Sequence, residues 1–101
     1  MKTIHFNAYF DYMIDKIKET RDAGQKEYAR TNQDVFANFR RTGSYTNQSK
    51  ETVLFTHFMK HIDGIASHIE GNTSQREDVT GRITDAIVYL CLLWGMVDEG
   101  R

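Results

Sequence analysis

The chain has 101 residues, 40% of them hydrophobic and 27% charged, and its 13 Lys and Arg against 14 Asp and Glu leave a net charge of −1. That length fits one helical domain spanning 1–101, and the interleaved, balanced charge excludes a polybasic footprint for DNA, RNA or an anionic membrane surface. A single cysteine, Cys91, excludes an internal disulfide and a thiolate zinc site.

Proline is absent and strand-like alternation is scarce, so helical spacing organises the chain. Tyr9, Phe10, Met13, Ile14 and Ile17 recur at i, i+3, i+4 and predict a first helix over about residues 5–30, with Gly24 as a point where it kinks or thins. A short second helix is expected over Gln33–Arg41, burying Val35, Phe36 and Phe39, followed by the polar loop TGSYTNQS. Ser49 is the expected N-cap of a third helix carrying Leu54, Phe55, Phe58, Met59, Ile62, Ile65 and Ile69 on one face and ending near Glu70-Gly71. Ser74-Gln75-Arg76-Glu77 reads as a Ser-x-x-Glu capping box that starts the last helix, and Gly100 follows its last turn.

On a helical wheel the main apolar stripe of the last helix is Val79, Ile83, Ala86, Leu90, Leu93 and Val97, with Val88, Tyr89 and Leu92 across from it. A helix apolar nearly all round is covered nearly all round, and a chain of this size has little interior to offer. The expected fold is therefore an all-α antiparallel bundle of three long helices and one short one, assembled as a homo-oligomer with the last helix at its centre. The first residues, MKTIHFNAYFDYM, lack the apolar core of a signal peptide, and the longest apolar run, AIVYLCLLWGMV (86–97), is shorter than a membrane span. A soluble, cytoplasmic protein without a membrane partner is expected, in which the sequons Asn47-Gln48-Ser49 and Asn72-Thr73-Ser74 are chance matches.

Candidate functional groups concentrate in three places. Glu77, Gly81, Asp85, Val88 and Leu92 share one row of the last helix, but Glu77 and Asp85 lie about 12 Å apart along the axis, so a shared ion needs a ligand from another helix. The plainer alternatives are that Glu77 closes the capping box and that Asp85 pairs with Arg82 or another cation. On the third helix His57, His61 and His68, with Gly64, form a flank of the apolar face; His57 and His61 have metal-ligand spacing, and boundary histidines are the bland account. Lys60 and Asp63 lie on the more polar side of that helix. Lys26, Glu27, Tyr28, Asp34, Asn38 and Phe39 alternate aromatics with groups that can hydrogen-bond a base or ribose, against the alternative that Tyr28, Phe36 and Phe39 only seal the bundle's end.

The segments QKEYA (25–29), ANF (37–39), FMKHI (58–62) and EDVTGRITDAIVY (77–89) resemble, across nearly the whole chain, small and often phage-encoded MazG-like, nucleotide-modification-associated helical proteins. These are similar to the all-α nucleoside triphosphate pyrophosphohydrolases. The resemblance implies acids from two helices that hold Mg²⁺ against a triphosphate, so that water attacks between the α and β phosphates. Glu77 and Asp85 match acids of that pattern, both as metal ligands and as the catalytic pair. Tyr89 matches its aromatic, and Glu27 stands where aspartate is usual and is a third metal ligand. The implied nucleotide contacts are Lys26, Tyr28, Asp34, Asn38, Phe39, Lys60, His61, Arg82 and Tyr89. Three departures weaken turnover: Gly81 replaces the middle aspartate, Met59 stands where an acid is expected, and the paired Glu-x-x-Glu is missing. A site of this kind needs about three or four carboxylates to hold Mg²⁺ well. The expectation is a nucleotide-handling protein resembling a pyrophosphohydrolase with a degenerate site. The alternatives are a non-catalytic nucleotide sponge and a protein-binding antagonist, acting in phage counter-defence within the host cytoplasm.

Overall fold

Helical spacing is realised along most of the chain. A computed structural model describes residues 1–30, 33–72 and 74–101, with the backbone alone at Ala29. Its elements are α1 (Thr3–Gly24), a π-helical segment (Gln25–Ala29), α2 (Ala37–Thr46), α3 (Lys50–Ile69) and α4 (Val79–Glu99), and no strand occurs among the described residues. Thr73, the middle residue of the second sequon, lies outside them.

The first helix keeps nearly its expected span, but its backbone changes from α to π register directly after Gly24. Arg41 fastens this wider turn to α2 by donating from Nη2 to the Tyr28 carbonyl at 2.7 Å. The short helix begins later than expected, at Ala37 rather than Gln33. The Asp34 carboxylate accepts the Phe36 N–H at 3.0 Å, and the Asp34 carbonyl accepts the Ala37 N–H at 3.2 Å. An aspartate that bonds its own downstream backbone makes a turn where a helix would otherwise start. The helix also runs on through residues 42–46, the first part of the expected polar loop. Asn47 ends it in the left-handed region at φ 56°, and Gln48 N–H bonds the Gly43 carbonyl at 2.9 Å. Gly43 has no alternative here, because a Cβ would collide with the Gln48 carbonyl oxygen.

Ser49 caps α3 as expected, its hydroxyl accepting the Thr52 N–H at 3.1 Å. The capping box does not start α4. Gln75 Nε2 bonds the Gly64 carbonyl at 2.9 Å and holds the linker against α3. Asp78, in extended conformation, takes the N-cap position with no side-chain bond to the helix backbone. Its carboxylate accepts from the Thr80 hydroxyl instead.

Packing is centred on α4, which touches α1 on one side and α3 on the other, while α2 packs on α3 and on the π segment. Phe36, Phe39, Val53, Leu54 and Met96 form the buried cluster, with Tyr89, Leu92 and Leu93 against it. The stripe expected to face inward on α4 is only partly covered: Ala86 is buried and Leu93 packs on the core, but Ile83, Leu90 and Val97 are exposed, as is Trp94 at 70%. The stripe of α3 is divided in the same way, with Leu54 at the centre of the core and Phe55, Met59 and Ile69 exposed. No residue of α1 is buried.

The accessible surface is 7578 Å². A folded monomer of 11.8 kDa exposes about 5,900 Å² by mass scaling, so this chain exposes about 1,700 Å² more. Its radius of gyration of 15.3 Å likewise exceeds the roughly 13 Å of a compact domain of this length. At 21 residues α4 is long and apolar enough, by length and composition alone, to cross a membrane. The expectation of too short a span rested on the uninterrupted run 86–97, and the helix extends beyond that run at both ends. Here it serves as the packing centre of the four helices.

Candidate functional site at the junction of α3 and α4

Two rows meet where α3 lies on α4. From α3 come His57, His61 and Gly64, the flank that had been assigned to the shoulder of the helix. From α4 come Arg82, Asp85 and Tyr89. The Tyr89 ring stacks nearly parallel to His57 (centroids 6.3 Å, 13°), lies 5.5 Å from His61, and meets the edge of Phe39 at 6.1 Å. Close approach at the top of this contact depends on Gly64. The Arg82 side chain lies across it, and a Cβ there would fall 2.7 Å from Arg82 Cζ.

Glu77, just before α4, turns back toward this row. Its carboxylate stands 3.9 Å from Arg82 Nη1, and one ligand atom each of His61, Glu77 and Asp85 lies within 4.8 Å of the other two. His61 Nδ1 and Asp85 Oδ2 are 3.7 Å apart. His61 Nδ1 and Arg82 Nε are sealed from solvent with no hydrogen-bond partner among the described residues. Burial pushes the Asp85 carboxyl above the ordinary aspartate range; His61 opposes that shift, Glu77 adds to it and Arg82 opposes it. Burial also raises the Tyr89 phenol, helped by the charge of Asp85. Tyr28 is raised chiefly by its neighbour Glu27, then by burial, and more weakly by Asp85. Burial, with Lys60 and His61 nearby, lowers His57.

Asp85 and Tyr89 also line a cleft of about 90 Å³ closed by Tyr28, Asn38, Phe39 and the end of α1. Five residues singled out from the sequence thus share one cleft, and three more (His61, Glu77 and Arg82) stand beside Asp85. The remaining four stand apart. Glu27 is outside the cluster of potential ligands. Asp34 uses both carboxylate oxygens, one for the Phe36 N–H and one for Arg40 Nε at 2.8 Å, and Arg40 goes on to Glu99 at 2.9 Å. Lys26 and Lys60 are exposed and do not line the cleft. Phe39 is only 4% exposed, so it presents a rim to the cleft and its faces to the core. A Cβ at Gly81 would stand in ordinary contact with Glu77 Oε1, at 3.4 Å.

Spacing in the sequence separated Glu77 from Asp85 by eight positions, and a helix alone cannot bring them together. What does so is the non-helical Glu77, which folds back beside Arg82 while His61 fills the gap from α3. The isolated capping pattern at 74–77 concealed this arrangement.

The fold and site define a class, a small all-α chain with a histidine–carboxylate cluster set at the contact of two helices. No protein-family model, curated protein or solved structure matches the chain.

Proposed function

We propose that this is a nucleotide-handling protein of MazG-like build, which holds the phosphates of its ligand at the α3–α4 junction through a divalent cation and Arg82. The observation that carries the reading is the convergence of His61, Glu77, Arg82 and Asp85 beside a cleft lined by Tyr28, Asn38 and Tyr89. Asp85 and Glu77 supply negative charge for the cation. Arg82, whose Nε has no hydrogen-bond partner among the described residues, supplies the positive charge that a phosphate oxygen prefers. Asn38 and the tyrosines offer the hydrogen bonds and ring surface that suit a base or ribose.

Two carboxylates and an imidazole stand where a Mg²⁺-dependent pyrophosphohydrolase uses three or four carboxylates. Binding is therefore better supported than turnover, and capture of a nucleotide-derived messenger is the form of binding that needs no further catalytic group. A cleft of about 90 Å³ is well below the roughly 300–1,000 Å³ of pockets that enclose a whole small ligand. The remainder of a nucleotide rests on the adjoining cleft of about 500 Å³, which shares Arg21, Val35, Val88 and Leu92, or on a second chain. Homo-oligomerisation supplies one: the surplus of about 1,700 Å² of surface is twice the roughly 800 Å² that each partner buries in a standard interface. In this reading the assembled protein is soluble and cytoplasmic.

Calorimetric titration with nucleoside triphosphates and cyclic dinucleotides, with and without divalent cation, tests the proposal, with pyrophosphate release followed in parallel. Saturable binding that Asp85→Asn weakens at least tenfold is expected. Pyrophosphate release abolished by the same substitution would establish the hydrolase, and the absence of heat with every nucleotide would remove the nucleotide reading.

A further inference from the structure

The spacing of the atoms around Asp85 bears on which cation the cluster takes. His61 Nδ1 faces Asp85 Oδ2 across 3.7 Å, and Glu77 offers an oxygen within 4.8 Å of both. The His61–Asp85 gap is too wide for a hydrogen bond. It is close to the separation of atoms that share an ion. At bond lengths of about 2.1 Å, ligand atoms stand about 3.0 Å apart when cis in an octahedron, about 3.4 Å in a tetrahedron and about 4.2 Å when trans.

The local chemistry points the same way. The His61 side chain is only 12% exposed, and its Nδ1 is solvent-sealed with no hydrogen-bond partner among the described residues. Leaving such a nitrogen unpaired carries a desolvation penalty, which a bound ion removes. Two carboxylates drawn together, Asp85 half-buried and Glu77 exposed, repel one another unless a proton or cation lies between them. Arg82 answers this only in part, since it stands 3.9 Å from Glu77 and its Nε is itself unpaired.

We infer that His61, Glu77 and Asp85 form a binding site for one first-row transition-metal ion, such as Mn²⁺ or Zn²⁺, in preference to Mg²⁺. The imidazole decides the preference. Mg²⁺ takes oxygen ligands and gives up its waters reluctantly, whereas Mn²⁺ and Zn²⁺ accept a nitrogen donor readily. Three protein ligands leave further positions on the ion open to water or to a phosphate oxygen, with Arg82 alongside. The inference shares side chains with the nucleotide reading and rests on its treatment of this cluster as a cation site, but it requires no nucleotide.

The test uses the full chain, treated with chelator, dialysed and kept free of nucleotide. Mn²⁺ is titrated in while the electron paramagnetic resonance signal of free Mn²⁺ is followed. One ion per chain is expected, not displaced by a tenfold excess of Mg²⁺. His61→Gln, Glu77→Gln and Asp85→Asn should each weaken binding at least tenfold, while Asp63→Asn, an exposed acid of the same helix, should leave it unchanged. A measurement on the unmodified protein guards against misfolded variants: bound Mn²⁺ should broaden the nuclear magnetic resonance signals of the His61 and Tyr89 rings before those of His5. Binding only at millimolar Mn²⁺, ready displacement by Mg²⁺, unchanged affinity in His61→Gln, or first broadening at His5 would each overturn the inference. Because nucleotide is absent, such a failure is distinct from a failure of the nucleotide titrations.

Discussion

Asp85 is an acid held in a place that disfavours its charge. Burial raises its carboxyl above the ordinary range despite the opposing pull of His61. A raised carboxyl lends stability that is fully present below the ordinary aspartate pKa of about 3.9 and is lost as pH climbs through the raised value. At neutral pH the ionised group therefore burdens the metal-free fold. Asp85→Asn should raise the melting temperature of chelator-treated protein at pH 7 by about 2–5 °C, and the difference should shrink toward pH 4. Calorimetric melts across that range check it, and a lower melting temperature for the variant would show that Asp85 is a stabilising partner of Arg82 or His61. His57 behaves oppositely. It is lowered by burial, then by Lys60 and His61, so its contribution is present above about pH 6.5 and is lost as pH falls through the depressed value. His57→Gln should flatten the decline in stability below pH 6.5 while leaving the Tyr89 contact able to repack.

Between α2 and α3 the connection is only Asn47, Gln48 and Ser49. Such a short joint works because Asn47 takes the left-handed conformation, Gly43 leaves space for the Gln48 carbonyl, and Ser49 caps the next helix. Gly43→Ala should cost about 1–3 kcal/mol, because the methyl group meets backbone that has no rotamer to change. Ser49→Ala, which removes one capping bond, should cost about 1 kcal/mol. Circular-dichroism melts of the two variants should therefore rank Gly43→Ala as the more damaging. The π segment belongs to the same scale. Its wider turn, pinned by Arg41, sets Tyr28 at the mouth of the cleft, and π turns of this sort recur at functional sites.

Taken whole, the molecule keeps an apolar core but leaves much apolar surface uncovered. Histidines, an arginine and an aspartate occupy the contact between α3 and α4, while Phe55, Leu90 and Trp94 face outward, joined by Phe6, Tyr9 and Phe10 on α1. A surface surplus of about 1,700 Å² is what an obligate assembly leaves open on one subunit. Light scattering should give a mass at least twice 11.8 kDa, and the melting temperature should rise with protein concentration. Trp94→Glu places a charge in the exposed row of α4 and should shift the mass toward the monomer. A monomeric wild-type protein with a concentration-independent melt would leave the apolar rows without this explanation.

Helix number, the Ser49 cap and the break near Gly24 were legible from the sequence because each depends on neighbours within about one turn. So was the involvement of Asp85, since an acid in an apolar run stands out without any knowledge of its partners. What local spacing could not decide was direction. A wheel assigns an apolar stripe but not the surface it meets: in α3 and α4 Leu54, Ala86 and Leu93 are covered while Phe55, Leu90 and Val97 meet solvent, and the histidine flank meets the neighbouring helix. Glu77 shows the same limit: its pattern fits a cap, yet the linker held by Gln75 places helix onset at Asp78 and frees Glu77 to join His61 and Asp85. The sequence by itself determined that the chain is helical and which residues are candidates for chemistry. Only the tertiary structure decided which of them meet, because the contact of α3 with α4 through Gly64 joins groups that no helical period relates.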